Sequence, residues 1–473
     1  MISMKNKYIL GIISIMLLFA SCDKFLDVDP KTQVDAEKMF ETEHGFKDAL
    51  SECYKKMGSD DSYGNYLSRD VIEILAQNLE PNSSNNNIKL MDLDFTIDDA
   101  KDFALKVFKS QYKIIAQIND VLYYIDAKRD VISTDVLRNT IKGEALALRA
   151  FIHFDILRMF GQMPKNPTMN VSLPYATKVS KEDAPMLTYD AFTAQIIADL
   201  DEAEALLKDN DPAITMGLDD KNYKESFLTY RKFRMNIYAV KALKARYYRY
   251  IGDAAKASEC AKDVITTLVN GSPLFKFTLS EDIAEQYYNL PNESIFLLSD
   301  TDYKQNLRPV DGFYISKTNL DKMFVGNLSD DIRYLRLWEE NNKGDMESKK
   351  FLDTKDIENL YEEEKVTKFL IIPMIRLAEM YLIVAESDSD LTIANDYYSK
   401  FVQSRGIITP NVIDASNRMS LIETEYRREF PMEGVMYYFY KRNFYKKMMF
   451  GIGDELTDKN YIMPTPDVEL ARD

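Results

Sequence analysis

The chain has 473 residues, of which 46% are apolar and 29% are charged, and it contains only 16 glycines and 15 prolines. So few turn-forming residues exclude collagen, disordered linkers and turn-dense β-sandwiches, and they favour helices. The formal net charge of −16 argues against nucleic acid and anionic membrane surfaces as partners, because both attract basic proteins.

Residues 1–21 are predicted to be a cleaved bacterial lipoprotein leader. Lys5 and Lys7 precede an apolar run over residues 8–19, which is too short to span a bilayer comfortably. The small residues that follow place Cys22 where the lipobox of bacterial lipoproteins has its cysteine. The resemblance implies that Cys22 is acylated and becomes the mature N-terminus, so that several acyl chains anchor the protein to a membrane.

A tether and a single helical domain are predicted after the leader. Residues 22–34 contain Pro30 and have no helical period, which is typical of an extended segment. The domain covers residues 35–473 and carries two insertions, near 56–98 and 270–371, that are rich in Asn, Asp, Gly, Pro and Tyr. The spacing of apolar residues predicts helices from Asp35 and over 99–126, 134–160, 188–208, 231–251, 253–269, 372–386 and 391–405.

Two of the predicted helix pairs have the small-residue faces of tetratricopeptide-like hairpins. Ala242 and Ala245 lie on one helix, Gly252 and Asp253 break the chain, and alanines return on the next helix. Small side chains let helices approach closely, and such hairpins stack because one hairpin cannot bury both of its faces. Residues 376–401 repeat the pattern, although any alanine-rich hairpin would look similar. The sequence therefore predicts a mainly α fold, with a scaffold of tetratricopeptide-like hairpins and loop-rich insertions that contain a few short strands.

The sequence offers little for catalysis. Its two histidines, His44 and His153, have no Ser, Cys or metal-ligand partner at motif spacing. Cys53 and Cys260 are in no metal-binding or redox spacing, and either two thiols or a disulfide is compatible with the sequence. The 76 acidic residues could still include a pair suited to glycoside hydrolysis. We predict a protein that is not an enzyme and has no cofactor or metal, and we keep a surface glycoside hydrolase as an alternative.

Four segments resemble the SusD/RagB family of Bacteroidetes outer-membrane lipoproteins, which bind nutrients at the cell surface. The segments are residues 21–30, 143–164 with 173–175, 376–386 with 403–406, and 425–434 with 463–466. After Gly434 the chain departs from the basic and aromatic run that is usual in the family, and it keeps the aromatics and the basic pair Lys441 and Arg442. The charged residues on these otherwise apolar segments are predicted to be paired ions that fix packing, namely Arg149, Glu379, Glu386, Arg427, Arg428 and Glu429.

The resemblance implies a lipid-anchored protein on the outer membrane that faces the cell surface. Its expected partner is a SusC-like TonB-dependent barrel transporter, to which it delivers a captured oligosaccharide without altering it. A peptide- or protein-binding member of the same family is the alternative, because the chain has a single Trp and carbohydrate platforms often use Trp.

Candidate ligand contacts come from two polar, aromatic clusters in the insertions. One cluster covers residues 60–70 with 82–87 downstream, and the other covers residues 303–314 with Tyr334 and Trp338. Aromatic rings stack on the C–H faces of sugars, while Asn, Asp and Arg bind the hydroxyl groups. Loops in these places contribute ligand contacts in the family. The predicted contacts are Tyr63, Tyr66, Arg69, Asp70, Arg308, Tyr314 and Trp338.

Overall fold

The computed structural model describes residues 37–81, 88–178, 184–284, 288–300, 313–350, 370–451 and 454–466. The predicted leader, the tether, Cys22 and Arg308 lie outside these ranges. Within them, no helix is both long enough and apolar enough to cross a membrane.

The described chain is mainly helical, and most of the predicted helices are confirmed within a few residues. Side-chain caps fix several starts: Thr42 accepts a hydrogen bond from Gly45 N–H, and Thr134 accepts one from Leu137 N–H. The helices are α1 (Glu43–Met57), α2 (Val71–Leu75), α3 (Ile88–Met91), α4 (Asp98–Ala127), α5 (Asp135–Phe160), α6 (Tyr189–Leu207), α7 (Ala213–Met216), α8 (Ile237–Ile251), α9 (Ala254–Ile265), α10 (Ser280–Ala284), α11 (Lys317–Met323), α12 (Ile332–Arg336), α13 (Leu377–Ser387), α14 (Leu391–Ser404), α15 (Arg418–Glu429), α16 (Met436–Asn443) and α17 (Asp458–Tyr461).

The predicted scaffold of helical hairpins is confirmed. Gly252 ends α8 with a φ of 94°, and Asp253 caps α9 through Lys256 N–H. Ala242 and Ala245 are fully buried where α8 meets its neighbours. Successive packing contacts join α4, α5, α6, α8, α9, α13 and α14 into one stack around a continuous core.

Ten short strands accompany the helices in the described ranges. They are β1 (Glu80–Pro81), β2 (Leu173–Pro174), β3 (Met186–Leu187), β4 (Leu268–Val269), β5 (Ser272–Pro273), β6 (Ser294–Asp300), β7 (Phe313–Ser316), β8 (Trp338–Glu340), β9 (Asp345–Ser348) and β10 (Leu370–Arg376). β1, β7, β9 and β8 form a four-stranded sheet in that order, and β6 pairs antiparallel with β10.

Three predicted helix starts are wrong. The helix predicted from Asp35 begins at Glu43, because Thr42 caps its first turn by accepting from Gly45 N–H. The helix predicted over 372–386 begins at Leu377, because residues 370–376 form β10. Pro373 cannot donate a hydrogen bond inside a helix, and it pairs with Leu297 in the two-stranded β6–β10 sheet instead. The helix predicted from residue 231 begins at Ile237, because Asn236 accepts hydrogen bonds from two N–H groups of its first turn.

Candidate ligand-binding face

The four-stranded sheet joins the two predicted insertions, because β1 belongs to the first and β7, β8 and β9 belong to the second. Glu80 of β1 lies opposite Tyr314 of β7, and Pro81 lies opposite Phe313. The Ser316 N–H also donates to Glu80 Oε1 at 2.7 Å. Residues 82–87 follow directly after β1, and residues 301–312 come directly before β7. β1 and β7, one from each predicted insertion, therefore lie side by side, while residues 82–87 and 303–312 of the predicted clusters lie outside the described residues.

A polar group lies beside this sheet on α11 and α12. The Tyr334 hydroxyl donates to Asp321 Oδ1 at 2.6 Å, and Lys317 Nζ lies 2.6 Å from the same hydroxyl. The hydrogen bond from Tyr334, followed by the one from Lys317 to the same carboxyl, holds the pKa of Asp321 below its ordinary value. Lys317 and Asp321 keep side-chain exposures of 52% and 37%, so both can still bind hydroxyl groups of a ligand. We call Tyr314, Lys317, Asp321 and Tyr334 the sheet-edge group.

Sequence reasoning missed Lys317 and Asp321. Their spacing of four residues is a signal of a helical ion pair, and the pair forms at 3.2 Å. The approach of α12, which brings Tyr334 onto the pair, depends on contacts between residues that are distant in the sequence. Tyr334 itself also packs against Phe324 of the small core under the sheet.

Three of the predicted contact residues are buried, so they are not part of the candidate ligand-binding face. Tyr63 is 3% exposed, and its hydroxyl donates to Asp155 Oδ2 at 2.8 Å. Arg69 is 4% exposed, and its Nε–H donates to the Gly64 carbonyl at 2.9 Å. Trp338 is 7% exposed and belongs to the small core under the sheet. All three side chains stabilise the protein from inside, and they offer almost no surface to a ligand.

The loop that carries Tyr63 turns inward because it packs against Gly434. This glycine has a φ of 65°, and a Cβ there would lie 2.2 Å from the Leu67 carbonyl oxygen. Tyr66 and Asp70, which were also predicted as contacts, are half-buried in the same loop. The Tyr66 ring contacts Phe103, and Asp70 accepts a hydrogen bond from Asn65 Nδ2 at 2.9 Å.

The predicted pairing of the signature charges is confirmed. Arg149 binds Asp199, Arg246 binds Glu379, and Glu386 receives both Arg249 and Arg442. On α15, Arg427 pairs with Glu423, and Arg428 pairs with Glu425 at 3.1 Å. Glu429 accepts from Arg333, Arg376 and Arg405. These acids are all engaged by arginines.

His153 and the two cysteines lie in structural surroundings, whereas the exposed His44 lies 3.3 Å from Asp48 one helical turn away. His153 is fully buried and stacks on Tyr175 at 3.8 Å, and burial lowers its pKa to about 3. Its Nδ1 lies 2.9 Å from the Arg149 carbonyl, and Ala176 N–H donates to Nε2. Cys53 and Cys260 are free thiols, which resolves the open question of a disulfide. Among the described residues, no three His, Cys, Asp or Glu side chains form a group that could hold a metal ion.

Glu73 is a buried carboxyl whose protonation should affect stability. Burial raises its pKa from the ordinary value of 4.5 to about 7, against the opposing effect of donors such as Asn78 Nδ2 and Gly434 N–H. Between these pH values the folded chain holds a proton that the unfolded chain releases. The stability from this group is therefore fully present below about pH 4.5 and is lost as the pH rises through about 7.

Glu73→Gln should remove this part of the pH dependence. From pH 4.5 to pH 8.5 the wild type should lose up to about 3 kcal/mol of unfolding free energy relative to the variant. Urea titrations across that range measure it, with Glu259→Gln on an exposed site of α9 as the control. An unchanged difference between the two proteins would show that Glu73 titrates normally.

Comparison with known proteins finds a family match in the N-terminal part of the chain. Residues 24–216 match the SusD-like family model, described as starch-binding and associating with the outer membrane. This part of the chain is similar to the SusD-like family. A SusD-like protein of Formosa agariphila is 26% identical over 162 residues, which cover 32% of this chain and 30% of that relative. The match thus spans less than a third of the curated relative.

Solved structures share the SusD fold over nearly the whole chain. A SusD superfamily protein of Bacteroides thetaiotaomicron has a TM-score of 0.68 at 20% identity, with 91% of this chain and 97% of that chain covered. A SusD-like carbohydrate-binding protein of Bacteroides vulgatus has a TM-score of 0.67 at 19% identity, with coverage of 91% and 96%. A laminarin-binding SusD-like protein has a TM-score of 0.65 at 17% identity, with coverage of 91% and 97%. The fold predicted from the sequence is confirmed.

Proposed function

We propose that this SusD-like protein is a lipid-anchored binding protein on the outer surface of the outer membrane. It captures an oligosaccharide and delivers it to a SusC-like TonB-dependent barrel transporter. The observation that carries the proposal is the SusD fold over nine-tenths of the chain, together with the family match over residues 24–216. A neighbour with that fold binds laminarin, which supports a glycan as the ligand.

The sheet-edge group, with Tyr66 and Asp70, is the proposed contact surface for the glycan. Tyr314 and Tyr334 are half-buried, so each keeps part of its surface for a sugar, and the Tyr334 ring is held by packing on Phe324. Lys317 and Asp321 supply a donor and an acceptor beside the rings, as the hydroxyl groups of a sugar require. Rings that are fixed before binding lose little conformational entropy when the ligand arrives.

The protein is proposed to act without catalysis. A glycosidase needs two carboxyl groups on either side of the scissile bond, about 5–9 Å apart. The acids on the signature segments face arginines instead, and Asp321 of the sheet-edge group is bound to Lys317 and Tyr334. These contacts favour ionised carboxylates that hold a structure or a ligand.

Peptide binding is the second candidate, and the position of Trp338 favours keeping it. The chain has one Trp, and its side chain is 7% exposed. The face therefore relies on tyrosines, which suit peptide side chains as well as sugars.

Native electrophoresis in gels that contain laminarin, starch or other polysaccharides tests the proposed face. One glycan should retard the protein, and Tyr314→Ala should weaken that retardation by about tenfold in affinity. Tyr123→Ala is the matched control, because Tyr123 is 66% exposed on α4. Equal retardation of the two variants would show that the glycan binds elsewhere. Retention by immobilised peptides, without retardation by any glycan, would favour the second candidate.

A further inference from the structure

Four arginines surround a small internal cavity where α5, α8, α13, α15 and α16 meet. They are Arg158 from α5, Arg246 and Arg249 from α8, and Arg442 from α16. The cavity has space for about one water-sized particle. It is far too small for a sugar, so it is separate from the proposed glycan function.

The carboxylates that face these arginines do not balance them. Asp155 binds Arg158, and Glu379 binds Arg246 at 2.6 Å. A single carboxylate, Glu386, forms ion pairs with both Arg249 and Arg442. Four guanidinium groups thus face three carboxylates. Burial lowers the pKa of the neighbouring Lys165, and the positive charges of Arg249 and Arg442 lower it further.

Three polar groups that line the cavity have no hydrogen-bond partner in the described part of the chain. They are the Nε–H of Arg249 and the hydroxyls of Tyr250 and Tyr438. These residues are only 7%, 2% and 4% exposed, respectively. Buried polar groups are rarely left without a partner, and the Arg249 group can only donate. The cavity therefore presents unused donors next to an excess of positive charge.

We propose that this cavity binds a chloride ion. Chloride is a monovalent anion that can accept from all three donors and offsets the unbalanced guanidinium. A water molecule could bond to the same groups, but it carries no charge and would leave the fourth guanidinium without a counter-charge. Sulfate and phosphate exceed the available space. A bound chloride would link Arg249 and Tyr250 of α8 to Tyr438 of α16.

Anomalous diffraction with bromide locates the ion directly. Crystals of the chain from Asp23 onward, which keeps every residue that the structure describes, would be grown in sodium bromide. The proposal predicts a bromine peak within hydrogen-bond distance of the Tyr250 and Tyr438 hydroxyls. A cavity with the density of water and no anomalous peak would overturn it.

Thermal unfolding distinguishes specific binding from occupancy at crystal concentrations. The wild type should unfold about 2 °C higher in sodium chloride than in sodium gluconate of equal ionic strength. The Tyr250→Phe/Tyr438→Phe double variant should lose this difference. Tyr437→Phe removes a hydroxyl that donates to the Tyr461 carbonyl, and it should keep the difference. If the wild type unfolds at the same temperature in both salts, any bromide peak reflects binding at crystal concentration only, and the proposal fails.

Discussion

Glu429→Gln should lower the free energy of unfolding by about 3–5 kcal/mol, the usual cost of removing one partner from a buried ion pair. The Glu429 side chain is 1% exposed. Its Oε1 accepts from Arg376 at 2.6 Å and from Arg405 at 2.8 Å, and its Oε2 accepts from Arg405 and Arg333. Burial alone would raise the pKa of Glu429, but the three arginines hold it well below its ordinary value. A neutral amide would leave these buried cations without full compensation.

The effect should extend to the candidate ligand face. Arg333 belongs to α12, which carries Tyr334, whereas Arg405 ends α14 and Arg376 ends β10. Lys350, two residues after β9, is tied to the same region through Glu433 and the Glu429 carbonyl. The ion network therefore fastens the small sheet and its helices to the helical frame. Glu429→Gln should weaken glycan binding as well as stability.

Glu423→Gln on the same helix is the matched control. The Glu423 side chain is 20% exposed and pairs with Arg427 one turn away, so its loss should cost less than about 1 kcal/mol. Urea unfolding followed by circular dichroism compares the two variants. Similar free energies of unfolding for both would contradict the structural role assigned to the network.

Cys22→Ala should abolish lipid attachment. The proposed anchor consists of several acyl chains, each stabilised by about 0.8 kcal/mol per buried methylene group. Without the Cys22 sulfur there is no site for the diacylglyceryl group. Radiolabelled palmitate fed to the cells should label the wild type and leave the variant unlabelled, and the variant should be missing from the outer-membrane fraction.

Cys53→Ala is the control for this experiment. Cys53 is a buried free thiol on α1, so its substitution should leave palmitate labelling unchanged. Labelling of Cys22→Ala at the wild-type level would show that residues 1–22 were misinterpreted as a lipoprotein leader and lipobox.

The helical frame was predictable because its signals are local. Alanines at helical spacing and the Gly252–Asp253 break are enough to place the turn between α8 and α9. The strands were harder, because β6 and β10 are 70 residues apart and neither stretch pairs with its sequence neighbours. Pro373 was the local signal that the helix could not extend back to residue 372.

The candidate face was predicted only in part, for a similar reason. A polar, aromatic loop is typical of a ligand site, but the pattern does not indicate which rings turn inward. Tyr63 lies in the protein interior, where Asp155, 92 residues away, accepts a hydrogen bond from its hydroxyl. Lys317 and Asp321 join the face because α12 brings Tyr334 to them. Contacts over such distances in the sequence depend on the complete fold.

Calorimetric titration of the chain from Asp23 onward, followed by chromatography of the recovered ligand, tests most directly whether the protein binds a glycan and leaves it intact. The titrants are laminarin, starch, other polysaccharides and a set of peptides. We expect heat of binding with at least one glycan, and we expect that glycan to be recovered with its chain length unchanged. Shortened products, or binding heat from peptides alone, would contradict the account.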